Sequence, residues 1–271
     1  MSYIKLGYIK VWFFKKVLRY LKIYASIERV FNNDIILSVR NFLKQNRPIT
    51  TEHDLIRIGG SDDGGYLIPN DLIGIKYCFS PGVDITSDFE YHLYKKYNIH
   101  SYLSDFSVDK PGINCEGFKF QKKYLNSKTD SINDTLTDWI RKEKNDNDMI
   151  LQMDIEGFEY DVLIETPQDI LKKFRIILVE FHNFKQIFSQ FGLKMIKSIF
   201  DKLNTDFYIV HIHPNKCCGV TETQGLQIPN TIEYTFLRKD RVSSTKNSKQ
   251  FPHELDHDKE FILPSNFYNF D

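Results

Sequence analysis

From about residue 55 onward, short apolar runs alternate with amphipathic segments. A chain patterned in this way folds as a parallel sheet with helices on both faces. Strands are predicted at 77–80, 101–103 and Met149–Met153, at 176–179, and more weakly at 118–120. Helices are predicted over 87–97 and 132–142, the second with Leu136, Trp139 and Ile140 on one face. A longer helix over 185–203 spaces Ile187, Phe188, Phe191, Met195, Ile196, Ile199 and Phe200 for burial. The last two strands, 207–212 and 232–237, are joined by residues without a helical period, so an antiparallel hairpin is expected there. The expected fold is a doubly wound, mostly parallel α/β sheet closed by that hairpin.

Three parts are expected along the chain: a helical extension over 1–50, the α/β domain over 51–241, and a polar tail over 242–271. Arg47-Pro48 and Thr50-Thr51 interrupt the helical pattern at the first boundary. In the extension, residues 3–24 carry Lys5, Lys10, Lys15, Lys16, Arg19 and Lys22 among Trp12, Phe13, Leu18 and Leu21, with no acid before Glu28. Such a basic amphipathic helix suits a peripheral contact with an anionic membrane surface. It equally suits packing on its own domain or on a second copy as a homodimer. Over the whole chain 36 basic and 36 acidic residues cancel, which argues against a general nucleic-acid binder. Cysteines at 78, 115, 217 and 218 have no CxxC spacing and form no disulfide framework, so a reducing compartment is expected. With no run of roughly 20 apolar residues and no secretory leader pattern, a cytoplasmic location follows, with membrane association as the variant.

In open α/β sheets, ligands bind beyond the carboxyl ends of the strands, and here those ends are rich in ionisable groups. The first strand runs through Ser80 and Pro81 into Gly82, a turn that lets backbone approach a ligand before a helix N-terminus. It lacks the GxGxxG spacing of dinucleotide sites. Asp105 ends the second strand, where it could meet a ribose diol or simply be solvated. Asp154-Ile155-Glu156-Gly157 ends the next, Glu180-Phe181-His182-Asn183 the one after, and His211-Ile212-His213 follows. Asp154 or Glu156 could cap the helix that follows, but capping does not account for three such ends. Buried carboxylates and imidazoles side by side call for pairing, a metal or a ligand.

The run Leu151-Gln152-Met153-Asp154-Ile155-Glu156-Gly157-Phe158-Glu159 resembles the hallmark of FkbM-type S-adenosylmethionine-dependent methyltransferases. Arg57-Ile58-Gly59, Asp63-Gly64-Gly65-Tyr66, Phe79-Ser80-Pro81-Gly82-Val83-Asp84 and Phe89-Glu90 resemble a related, methyltransferase-like branch. So do His211-Ile212-His213 with Asn215, Ile228-Pro229 and Ile232-Glu233, giving a resemblance over roughly residues 55 to 240. One departure is the turn after the first strand, which has a single glycine where the family usually has two or three small residues.

The resemblance implies a class I methyltransferase fold binding S-adenosylmethionine, with Ser80, Gly82, Asp84, Glu90 and Asp105 around the cofactor. Asp63, Gly64, Gly65 and Tyr66 would form a lid over it or a plain turn. The acceptor would be a hydroxyl of a small molecule or glycan, placed beside Asp154, Glu180 and His182. His182 is the preferred general base because imidazole titrates near neutrality, with Asp154 as runner-up. Alternatively Asp154, Glu180, His182 and His211 would hold Mg²⁺ or Mn²⁺, which lowers the hydroxyl pKa. A zinc site from His211, His213, Cys217 and Cys218 matches no standard spacing. Two rivals remain: a non-catalytic scaffold on the same frame, and another glycan-modifying transferase, which would lack a DxD motif at Asp154.

Overall fold

A computed structural model describes residues 33–61, 64–143, 148–215, 218–247 and 252–256. The basic segment 3–24, Asp63, Cys217 and the tail beyond 256 lie outside the described residues.

Seven strands form the central sheet: β1 Tyr77–Pro81, β2 His100–Ser104, β3 Phe118–Gln121, β4 Met149–Met153, β5 Phe174–Phe181, β6 Phe207–Pro214 and β7 Ile232–Arg238. Their spatial order is β6-β7-β5-β4-β1-β2-β3. Strands β3, β2, β1, β4 and β5 pair in parallel, while β7 lies antiparallel between β5 and β6. The fold is mixed α/β with a mostly parallel sheet. The chain steps outward from β1 to β3 and then returns to the other side of β1 at β4. That reversal opens a crevice between the β1 and β4 ends. The link from β6 to β7 holds its own ribbon, Val220–Thr223 against Leu226–Pro229.

Both sheet faces are buried, so β4 and β5 are inaccessible along their whole length. On one face Phe200, at the centre of the helix Gln190–Asp206, meets Phe42, Phe181 and Tyr234 with ring centroids 4.9–5.4 Å apart. Phe42 comes from the helix Asn33–Gln45, whose Ile35, Ile36, Val39 and Leu43 are also buried in this cluster. The opposite face holds Ile58, Tyr66, Cys78, Phe89, Leu93, Ile150 and Leu178.

Several boundaries differ from the sequence pattern for local reasons. The long helix begins at Gln190, because the Ser189 hydroxyl accepts the Gly192 N–H at 2.9 Å and a 3₁₀ turn, Phe184–Phe188, precedes it. The helix expected from 132 starts at Leu136, because Asp130 draws the Ile132 and Asn133 N–H groups into a turn, each at 2.9 Å. In the tail, Lys246–Asn247 pairs antiparallel with Ile49–Thr50. Cys78 and Cys115 are free thiols, while Cys218 is disulfide-bonded. Among the described residues, no helix is long and apolar enough to cross a membrane.

Candidate active site

The crevice is built around Gly82. Its φ is +83°, and a Cβ there would lie 1.5 Å from the Asp154 carbonyl oxygen. The β1 and β4 exits therefore cross at a distance that only glycine permits. The Gly82 N–H donates to the Ser104 carbonyl (2.9 Å) and the Asp154 N–H to the Pro81 carbonyl (3.3 Å), tying three strand ends together. Asp105 completes the brace. Its Oδ2 accepts the Asp84 N–H at 2.9 Å, and its Oδ1 accepts the Ser107 N–H and hydroxyl at 2.7 Å.

The crevice above this brace is lined by Gly64, Tyr66, Gly82, Asp84, Glu90 and Asp154, together with Val83, Thr86, Ser87, Asp88, Phe89 and Gln152. Four of these residues are acidic and none is lysine or arginine. Beneath it, the Ser80 hydroxyl faces two acceptors, Glu90 Oε1 and Gln152 Oε1, the latter at 2.5 Å. Ser80 has one proton for the two. Burial pushes the Glu90 carboxyl up to about 7, against the opposing hydrogen bond from Ser80. A protonated Glu90 donates to Ser80, which then donates to Gln152, and every group is satisfied.

Beside the crevice lie the ends of β4 and β5. One ligand atom each from Asp154, Glu180 and His182 falls within 4.8 Å of the others. His182 Nε2 is 3.7 Å from Asp154 Oδ1, 3.7 Å from Glu180 Oε1 and 3.4 Å from Glu156 Oε2. On its other side, Nδ1 lies 2.9 Å from Glu159 Oε1. Asn215 Nδ2 donates to Glu180 Oε1 at 2.9 Å, and Tyr160 donates to the His182 carbonyl at 2.8 Å. Burial, then the Glu180 charge, raise Asp154 to about 8, against the opposing charge of His182. Burial disfavours a charged His182 ring, but the hydrogen bond and charge of Glu159, with Asp154 and Glu180, outweigh it and raise the ring to about 9. This cluster therefore retains protons at neutral pH in order to offset its carboxylates.

The matched family is a methyltransferase one. Residues 88–207 match the methyltransferase FkbM domain. The FkbM match takes in Glu90, Asp105, Asp154, Glu159, Glu180 and His182, and it ends where β6 begins. Solved structures similar to the chain include the plantazolicin methyltransferase BpumL in complex with a monoazolic desmethylPZN analog and SAH. That likeness has 11% identity and a TM-score of 0.33, over 60% of this chain and 76% of that one. Another is the Pnkp1/Rnl/Hen1 complex, at 12% identity and a TM-score of 0.32, over 76% of this chain and 42% of that one. No curated protein matches the sequence.

The residues expected at the site sort into three groups. Gly64, Tyr66, Gly82, Asp84, Glu90 and Asp154 line the crevice, with Gly65 adjoining them and Ser80 beneath. Asp154, Glu180 and His182 converge beside it. Asp105 and His211 stand apart. Asp105 is spent on the Asp84 and Ser107 contacts rather than lining the crevice. His211 does not join the carboxylates of β4 and β5, because β7 lies between β5 and β6 and two strand spacings amount to about 10 Å. Its Nε2 is instead 3.1 Å from Asp256, which also lies 3.5 Å from His213 Nδ1. The roles of Gln152, Glu159 and Asn215 were not read from the sequence. Gln152 and Glu159 sit inside the Asp154 motif run, so the signal was present but ambiguous with core packing.

Proposed function

We propose that the chain is an S-adenosylmethionine-dependent O-methyltransferase. Its acceptor is a hydroxyl, with sugars and glycosylated metabolites the favoured class, and a divalent cation such as Mg²⁺ or Mn²⁺ assists. The observation that carries this reading is the electrostatics of two adjoining sites. The crevice at the β1–β4 reversal is acid-lined without a basic residue among its described lining, and a carboxylate–imidazole cluster stands next to it. Asp84 and Asp88 in a glycine-walled crevice fit a donor bearing an ammonium and a sulfonium. The phosphates of a nucleotide sugar or a dinucleotide would instead meet carboxylates with no lysine or arginine among the described lining to pair them. Gly64, Tyr66, Gly82, Asp84 and Glu90 would hold the donor, which when bound supplies an electrophilic methyl group.

The remaining tasks fall to the chain. A hydroxyl must be aligned in line with the methyl group and lose its proton as it attacks. Without a cation neither Asp154 nor His182 suits the proton-acceptor role at neutral pH, because the raised carboxyl and the imidazolium both already hold their protons. A hard divalent cation held by Asp154, Glu180 and His182 would displace the retained protons, leave the ring neutral and acidify a bound hydroxyl. Of the aromatics following β4 and β5, Phe181 and Phe184 are fully buried core, while Phe158 is 49% exposed and available to stack on a sugar ring.

Calorimetric titration with S-adenosylmethionine, S-adenosylhomocysteine and a nucleotide sugar tests the donor. Micromolar binding of the first two, weakened in Asp84→Asn, supports the reading. Binding of the nucleotide sugar alone would replace it with the glycan-transferase alternative, and binding of none would favour the scaffold.

A further inference from the structure

We infer that Glu159 is a positioning residue that sets the ring orientation and tautomer of His182. This role rests on the proposed reading of the Asp154–Glu180–His182 cluster. Glu159 is completely buried at the first turn of the helix Glu159–Glu165. A buried carboxylate is costly unless donors surround it, and here one oxygen collects three. Glu159 Oε1 accepts the Ile155 N–H and the Gly157 N–H, each at 3.1 Å, and it lies 2.9 Å from His182 Nδ1. Its second oxygen makes no hydrogen bond among the described residues.

The backbone is bent for this purpose. Glu156 and Gly157 both have left-handed φ, +57° and +110°. That pair of residues curls the β4 exit so that amides on either side of it point back at Glu159. For a non-glycine residue such a conformation is disfavoured and persists only where contacts over-determine it. A single carboxylate thus fixes the loop that leaves Asp154 and the ring that follows Glu180.

The consequence for His182 is chemical. Once the ring is neutral, an imidazole whose Nδ1–H donates to a carboxylate presents Nε2 as the free nitrogen. Nε2 is the atom that faces Asp154, Glu156 and Glu180, at 3.4–3.7 Å. Three carboxylates around a nitrogen lone pair repel one another unless a cation or a proton stands between them. Glu159 therefore holds His182 as the nitrogen donor of a cation site whose oxygens come from two strands.

The test is a double-mutant cycle on Mn²⁺ affinity, read by electron paramagnetic resonance on the whole chain, with Glu159→Gln and His182→Ala. Loss of an outer partner of a metal-bound histidine costs roughly 10- to 100-fold in affinity. Glu159→Gln should show that loss when His182 is present and stay within about twofold when it is absent. An equal loss in both backgrounds would overturn the proposal, because a role confined to the loop does not need the ring. Proton–nitrogen spectra of the His182 ring give the second readout. The Nδ1-bound proton should resonate far downfield in the unsubstituted protein and move upfield in Glu159→Gln; an unmoved resonance also overturns the role. If the unsubstituted protein binds no Mn²⁺, the cation reading falls and the ring spectra alone decide Glu159. Should Glu159→Gln fail to fold, Glu159→Asp, which withdraws the carboxylate by one methylene, serves the same comparison.

Discussion

Replacing Gly82 with alanine separates the structural contribution of the crevice from its chemistry. Two costs arise. The φ of +83° is disfavoured for any residue with a Cβ, at about 1–2 kcal/mol. The new Cβ also sits 1.5 Å from the Asp154 carbonyl oxygen and 2.6 Å from the Asp154 carbonyl carbon, both backbone atoms that no rotamer change can remove. Relief requires the β1 and β4 exits to part by roughly 2 Å, the shortfall from ordinary van der Waals contact. The total loss should reach about 3–4 kcal/mol, within the range of severe single substitutions. For a chain of this size that lowers Tm by roughly 6–15 °C. Urea unfolding followed by circular dichroism measures it, and Gly225→Ala is the control. Gly225 has a similar φ of +74° with nothing within 4 Å of the added Cβ, so it bears the conformational cost alone. A displacement of this size next to the reacting groups should also cost on the order of 100-fold in kcat/KM. If Gly82→Ala were no less stable than Gly225→Ala, the close crossing of the two exits would not be a feature of the folded protein.

Other expectations follow from the same geometry. Dialysis against EDTA should abolish methyl transfer and added Mn²⁺ should restore it, while Asp154→Asn and Glu180→Gln should resist rescue; full activity after EDTA would remove the cation from the mechanism. Asp154 and His182 both have folded-state pKa values raised, to about 8 and about 9. The folded, metal-free protein thus holds more protons than the unfolded chain, and its stability falls as pH rises through those values. Thermal melts from pH 6 to 9.5 should show that decline, and saturating Mn²⁺ should flatten it. Phe158→Ala should raise KM for a sugar acceptor with under about 0.5 kcal/mol lost in stability, since the ring is half exposed. Arg175→Met should cost about 1–3 kcal/mol, because the Asp71 and Ile73 carbonyls lose their donor while Asp71 keeps the Arg241 guanidinium at 2.8 Å; urea titration would show a change below about 1 kcal/mol if these bonds are dispensable.

The strands, the helices and the acidic character of the strand ends were legible in the sequence. Burial on both faces of a parallel sheet makes each strand a continuous apolar run, and an ionisable residue at its end breaks the run visibly. Asp154, Glu180 and His182 could be picked out because each stands at the end of such a strand. What the sequence could not supply was adjacency. His211 looked equivalent to His182 until the antiparallel β7 was found between β5 and β6, which separates it from the carboxylates and leaves it to Asp256. Asp105 looked free to meet a ligand until the turn after β1 was seen to donate its Asp84 N–H to it. Gly82 was read as room for a ligand, and the sequence did not show that it also makes room for the chain's own backbone at Asp154. Glu159 carried no periodic signal of its function, since a glutamate opening a helix is ordinary on the surface. Local pattern therefore determined which segments are strands and where their charges lie, because hydrophobic periodicity is a property of neighbours in sequence. Only the order in which those strands pair decided which charges meet, because a distance between strand ends is fixed by hydrogen bonding across the sheet and not along the chain.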